Sequence, residues 1–149
     1  MATDVELAWA AGFFDGEGCI YLRTSKREAG WQLLCNLTQT DRAPIEEFQH
    51  IVGGVGYISS RHASPKGNRR PCWCWQGASR NAGEVLVLLL PYLRVKKAQA
   101  VAALEFRATY PDANYRRWNR IPPEVFKERG RLARKVKALK LVGMAEEVA

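Results

Sequence analysis

The stretch Trp9-Ala10-Ala11-Gly12-Phe13-Phe14-Asp15-Gly16-Glu17-Gly18 limits what this chain can become more than any other part of it. An apolar run rich in Ala and Gly ends in two acids that alternate with two glycines, and Cys19-Ile20-Tyr21-Leu22 then has the residue types of a strand. The pattern predicts a short helix that delivers a carboxylate to its end. Thr3 with Glu6 three residues on makes a capping box at the start. Gly16 and Gly18 offer backbone freedom for the stop. Ala8 and Gly12 share one face, where small side chains let a second helix come close. Two copies packed that way would bring two Glu17 carboxylates together, and like charges at that range call for a cation between them. Mg²⁺ suits such a donor set, because it takes carboxylate and carbonyl oxygens and keeps several waters. The alternative is a helix end whose acids are merely solvated.

After this helix, residues 19 to 39 alternate with period 2, broken by Arg27-Glu28-Ala29-Gly30, which reads as a hairpin. Ile20 and Leu22 face one way with Trp31, Leu33, Cys35 and Leu37; Tyr21, Arg23 and Ser25 face the other way with Gln32, Asn36 and Thr38. Thr40-Asp41 predicts a cap for a helix from Arg42 or Ala43 to about Ile51, ended by Gly53 and Gly54. A second hairpin follows, Val55 to Arg61 and about Pro71 to Gln76, joined by a basic loop. Tyr57, Ser59 and Arg61 share a face, and the size of Trp73 and Trp75 puts both in the core. Ser79 and Asn81 are candidate caps for an apolar helix over 83–90, and a further helix is expected from about Arg94 to Tyr110. Pro122-Pro123-Glu124 opens a last helix with Val125, Leu132, Val136 and Leu139 on one face; it packs on the body with its basic side outward or lies along phosphate.

The net charge of +8 is concentrated. From Arg116 to Lys140 there are ten basic and two acidic residues, while the remaining 13 of each sign cancel. Such a surplus points to a polyanion partner, and nucleic acid fits better than a membrane because no aromatic anchors share the basic face. No apolar run is long enough to span a bilayer, so a soluble intracellular protein is expected. Cys19, Cys35, Cys72 and Cys74 lack zinc-site spacing.

Ala10-Ala11-Gly12-Phe13-Phe14-Asp15-Gly16-Glu17-Gly18 resembles the signature of the LAGLIDADG homing endonucleases, with Glu17 where the family binds its catalytic metal. Leu37-Thr38-Gln39, Gly53-Gly54-Val55-Gly56-Tyr57 and Leu90-Pro91-Tyr92-Leu93-Arg94-Val95-Lys96-Lys97-Ala98-Gln99 resemble further family segments. The resemblance implies an α+β fold, the αββαββα LAGLIDADG core with an antiparallel DNA-binding sheet backed by helices, plus the basic C-terminal helix. It makes residues 1–149 one domain, with the core over about 3–110 and the extension over about 111–149. Only one signature is present, which implies a homodimer with Ala8, Ala11 and Gly12 at its seam.

The activity so implied is a Mg²⁺-dependent double-strand break in a long pseudo-palindromic DNA, with Mn²⁺ as substitute, Ca²⁺ binding without cleavage and no small-molecule cofactor. Glu17 with the Gly16 carbonyl would hold the metal, Gln39 would position water, and Lys96, with Lys97 as the register alternative, would stabilise the developing charge. Tyr21, Arg23, Ser25, Arg27, Gln32, Asn36, Thr38, Tyr57, Ser59 and Arg61 would read the major groove, while Lys66, Arg69, Arg70 and Lys97 would meet phosphates. The competing reading is a non-cleaving nucleic-acid binder on the same scaffold, an RNA splicing maturase or a regulator. The two acids of Asp15-Gly16-Glu17-Gly18, both read as metal-seeking, weigh against it.

Overall fold

Helix α1 (Asp4–Glu17) starts as its first residues dictate: Thr3 Oγ1 accepts from the Glu6 amide at 3.3 Å, and Glu6 Oε2 accepts from the Thr3 amide at 2.6 Å. Those bonds from Thr3 hold the Glu6 carboxyl below its ordinary range. The end of α1 departs from expectation. The helix runs straight through Gly16, and Gly18 caps it in extended backbone at φ −80°, a conformation open to any residue. Space, rather than a left-handed turn, demands glycine at position 18, since a Cβ there would lie 2.5 Å from the Phe14 carbonyl oxygen.

The computed structural model describes residues 1–25, 30–62, 67, 70–110 and 122–141. Strands β1 (Gly18–Ser25) and β2 (Gly30–Gln39) pair antiparallel from Gly18↔Leu37 to Ser25↔Gly30. Helix α2 (Arg42–Ile51) is capped by Asp41, whose Oδ1 accepts from the Ala43 amide at 3.2 Å, and Gly53 and Gly54 leave it at φ +88° and +74°. Only glycine takes such angles without strain. Strands β3 (Tyr57–Arg61) and β4 (Cys72–Ala78) complete an antiparallel sheet of order β1-β2-β4-β3. Helices α3 (Ser79–Leu89), α4 (Lys97–Ala108) and α5 (Pro123–Leu139) follow, so the fold is α+β as expected.

Ile20, Leu33, Cys35, Leu37 and Trp75 point from one face of the sheet into a core shared with Phe14, Phe48, Leu86 and Phe106. Phe48 is the hub, its ring 6.1 Å from Phe14 and 5.0 Å from Trp75. Each such side chain contributes about 1.5–3 kcal/mol by leaving water. Trp75 also satisfies its one polar atom, Nε1 donating to the Val55 carbonyl at 2.8 Å. Trp73, expected beside it, is only half-buried. It lies at the end of β4, and the Arg42 guanidinium covers its ring at 4.5 Å.

Two further expectations change. Helix α3 begins at Ser79, directly off β4, so Ser79 and Asn81 lie inside it rather than capping a start at 83, and Ser79 takes φ 51° to make the corner. Helix α4 starts at Lys97, three residues later than expected, for a reason that lies in the site. Helix α5 packs on α4 and on the β1–β2 edge through Leu132 and Val136, with Val125 and Leu139 half-buried. It also buries Arg129 to 1% exposure. That guanidinium stacks on Tyr110 at 3.7 Å and donates to the Thr109 hydroxyl and carbonyl, each at 2.9 Å, which offsets the negative end of α4. The loop over 63–70 and the stretch over 112–121 fall wholly or largely outside the described residues. No helix among the described residues is long and apolar enough to cross a membrane.

Candidate active site and nucleic-acid face

Glu17 is the last residue of α1 and is exposed. The last carbonyls of a helix have no amide further along to bond, and the dipole makes that end negative. The last turn of α1 carries no basic residue of its own. The offsetting cation comes from the segment before α4: Lys96 Nζ donates to the Asp15 carbonyl in a short contact. The register Gly18↔Leu37 sets Gln39, two residues further along β2, beside this helix end. Gln39 Oε1 accepts from the Thr40 amide at 2.8 Å and the Thr40 hydroxyl at 3.2 Å, which leaves its NH₂ as the group to offer. Glu17 and the Lys96–Asp15 bond thus lie at the last turn of α1, Gln39 lies at the end of the strand that pairs with β1 from Gly18, and Lys97 is exposed one residue on from Lys96.

Asp15 does something the sequence hid. Its carboxylate accepts from three backbone amides, Arg94 at 2.8 Å, Val95 at 3.2 Å and Lys96 at 2.9 Å. At the other end of α1, Tyr92 donates its hydroxyl to Asp4 at 2.7 Å, a bond that raises the Tyr92 phenol above its ordinary range. The expectation of two metal-seeking acids is therefore corrected. Asp15 is occupied by backbone, and Glu17 is the acid left facing out.

One protomer alone fits a divalent ion poorly, since the described residues contain no group of three or more His, Cys, Asp or Glu. A carboxylate with a neighbouring carbonyl is nonetheless a hard oxygen donor set of the kind Mg²⁺ takes while keeping waters. The Glu17 carboxylate and the Gly16 carbonyl are donors of that kind.

Part of α1 is turned away from its own protomer's core. Val5 (80% exposed) and Trp9 (42%) lie outward with Ala8, Gly12 and Gly16. A Cβ built at Gly12 or Gly16 meets nothing within 4 Å in the protomer. Ala11, expected at the seam, is fully buried in its own protomer's core, because α1 turns it toward the sheet.

The face of the sheet away from the core carries the expected polar set. Cross-strand pairing gives the rows Arg23–Gln32, Cys19–Asn36–Gln76–Tyr57, Thr38–Cys74–Ser59 and Cys72–Arg61. Arg23 Nη2 donates to Gln32 Oε1 at 2.7 Å, and Gln32 Nε2 donates to Ser79 Oγ at 3.3 Å, so the arginine is aimed from below. Gln76 was missing from the expected set, although the alternation of β4 already placed it opposite the tryptophans. Leu34 and Cys74 are on this face too, yet buried and separate from the main core, which interrupts the polar surface beside Tyr21. Lys140 of the α5 end lies 5.6 Å over the Tyr21 ring and 3.3 Å from Cys19 Sγ. Ser25 closes β1 and Arg70 is exposed before β4, while Arg27, Lys66 and Arg69 lie outside the described residues.

A family model described as LAGLIDADG-like domain matches residues 4–105. Among curated proteins, the chain is 36% identical over 62 residues to the intron-encoded DNA endonuclease ai2b of Dictyostelium discoideum; the match covers 42% of this chain and spans about a quarter, 24%, of that relative's length. Among solved structures it is similar to the homing endonuclease I-CvuI in complex with its target in the presence of Ca, at 27% identity and TM-score 0.69, over 91% of this chain and 82% of that one. It also shares its fold with the archaeal intron-encoded homing endonuclease I-Vdi141I complexed with DNA, at 15% identity and TM-score 0.71, over 91% and 84% of the two chains.

Proposed function

Because the chain belongs to the LAGLIDADG-like domain family, which its match over residues 4–105 shows, we propose that it is a DNA-binding endonuclease that makes a metal-dependent double-strand break in a long pseudo-palindromic target as a homodimer. What supports this reading is an exposed Glu17 at the end of α1, with Lys96 Nζ bonded to the Asp15 carbonyl two residues before it and Gln39 at the end of β2, beside a polar antiparallel face. The relatives that are DNA endonucleases supply the substrate class.

Two copies joined along α1 place two Glu17 carboxylates side by side, each with its Gly16 carbonyl. The two Glu17 carboxylates and Gly16 carbonyls would hold a divalent cation, Mg²⁺ in this reading, which would supply an activated water and offset charge on the scissile phosphate. Gln39 donates through its NH₂ to orient the attacking water. Lys96 keeps two N–H donors beyond its bond to the Asp15 carbonyl, and these meet the charge that builds on the phosphate oxygens. The polar rows of the sheet, Gln76 included, lie in the major groove, where Arg suits guanine and Asn or Gln suits adenine.

The seam yields a prediction of unusual sign. Glycine inside a helix is about 0.5–1 kcal/mol worse than Ala, and nothing in the protomer occupies the space of a Gly12 side chain. Gly12→Ala should therefore raise the stability of the isolated protomer by about that amount while weakening the dimer, read by urea denaturation and by sedimentation across concentration. A dimer that tightens or stays unchanged would move the seam off α1.

Arg23→Ala should relax base preference at one position per half-site, by about 1–3 kcal/mol of discrimination. Equal weakening on every sequence would make Arg23 a phosphate contact. The reading as a whole is tested by a cleavage selection on a randomised DNA library with Mg²⁺, with molecular mass measured on the same sample. Cut products that share one pseudo-palindromic site, made by a dimer, are expected; salt-sensitive binding without cutting would leave a nucleic-acid binder.

A further inference from the structure

Helix α4 has no cap of its own. Its N-cap is Lys96, whose side chain makes no capping bond, and the amides of the preceding turn are satisfied from α1 instead. All come to one residue. Asp15 takes the backbone amide of Lys96 on Oδ1 and those of Arg94 and Val95 on Oδ2, while its own carbonyl takes Lys96 Nζ. The lysine is thus gripped at its main chain and at its tip by the same residue, two positions from Glu17. A free lysine stem carries about 2 kcal/mol of rotamer entropy, and a donor that still has to find its place stabilises a transition state less than one already aimed.

The geometry points to Asp15 as a positioning residue that aims Lys96 at the scissile phosphate, an inference that rests on the endonuclease reading for its chemistry but not for its geometry. The α1 helix then serves two ends: its outward face meets the second copy, and its last turn sets the lysine. Asp15 touches no substrate itself.

The test uses Asp15→Asn in the full chain. The amide keeps the size of the carboxylate but turns an NH₂ toward at least one of the three backbone donors. On DNA, kcat should fall about 10²-fold, with KM within about threefold of the wild type. In a Lys96→Ala background the same substitution should change kcat by less than about threefold, because its effect runs through the lysine. An equal fall in both backgrounds, or a loss carried by KM, would overturn the positioning role and leave a general structural one.

Amide hydrogen exchange reads the clamp without any cleavage. The Arg94, Val95 and Lys96 amides should exchange at least about tenfold faster in Asp15→Asn, with the core strands unchanged. Unchanged rates would sink the inference even in an active nuclease. A protein that never cuts DNA but shows the faster exchange would sink the endonuclease reading and keep the clamp. Should Asp15→Asn not fold, the wild type decides: Arg94 and Val95 are exposed, so exchange at the rate of an open turn would mean that Asp15 does not hold them.

Discussion

Glu17→Gln should abolish the proposed Mg²⁺-dependent cleavage and leave DNA binding within a few-fold of the wild type. The amide preserves the side chain's length and takes away the one outward charge at the end of α1. If the cation contributes about 4 kcal/mol or more to charge stabilisation at the phosphate, the loss is about 10³-fold or more in rate. Plasmid cleavage measures it, and anisotropy on labelled target DNA separates it from binding. A second readout needs no DNA. Glu17 stands at the negative end of a helix dipole with no basic neighbour in its own turn, so neutralising it should stabilise the metal-free protein by about 0.3–1 kcal/mol. Added Mg²⁺ should then raise the melting temperature of the wild type and not of Glu17→Gln, since a ligand stabilises only what binds it. Cleavage that survives the substitution would remove Glu17 from the metal site.

That the sequence already pointed at Glu17 follows from how local the signal is. The Thr3–Glu6 capping box, the apolar run and the acid at its end all fall within 15 residues, so propensity and spacing act on the same short segment. The two hairpins were legible for a similar reason: alternation in β1 and β2 fixes which side chains share a face, and the observed register keeps Tyr21, Arg23, Gln32, Asn36 and Thr38 together. The Gly53–Gly54 pair ended α2 as expected because positive φ is a property of the residue itself.

What stayed hidden depends on partners distant in the chain. Asp15 reads as one more acid beside Glu17, and nothing near it in sequence says that amides 79 to 81 residues away converge on it. Its cap is also why α4 starts late, because the turn over 94–96 is held as a turn by the carboxylate. Arg129 falls between Val125 and Leu132 on the apolar stripe of α5, where a charge reads as out of place, and only the end of α4 beneath it explains its burial. Trp73 is only half-buried because it lies near the end of β4, where it packs against the rim of the core and the Arg42 guanidinium covers its ring. Leu34 is opposite in kind, an apolar residue in register with the polar set, buried between Tyr21 and Ala78 on the neighbouring strands.

Gly18→Ala should destabilise the fold strongly, by about 3 kcal/mol. The backbone there is ordinary, so the cost comes wholly from the added methyl, which would lie 2.5 Å from the Phe14 carbonyl oxygen and equally close to the Phe14 ring. Phe14 cannot yield readily. It is fully buried, its ring lies 6.1 Å from Phe48, and its carbonyl accepts the amide of residue 18 itself. Relief would have to come from the backbone, either by unwinding the last turn of α1 or by shifting the first β1–β2 pair, Gly18↔Leu37. Both moves displace Glu17, so cleavage should fall more than the folded fraction does at low temperature, where the variant remains folded. Urea denaturation gives the stability change, and cleavage per folded molecule gives the second quantity. A loss below about 1 kcal/mol would mean that Phe14 does relax. Gly12 in the same helix makes the contrast, since there the methyl meets only open space. The same substitution should stabilise the protomer at position 12 and destabilise it at position 18, because one methyl meets open space and the other meets its own Phe14.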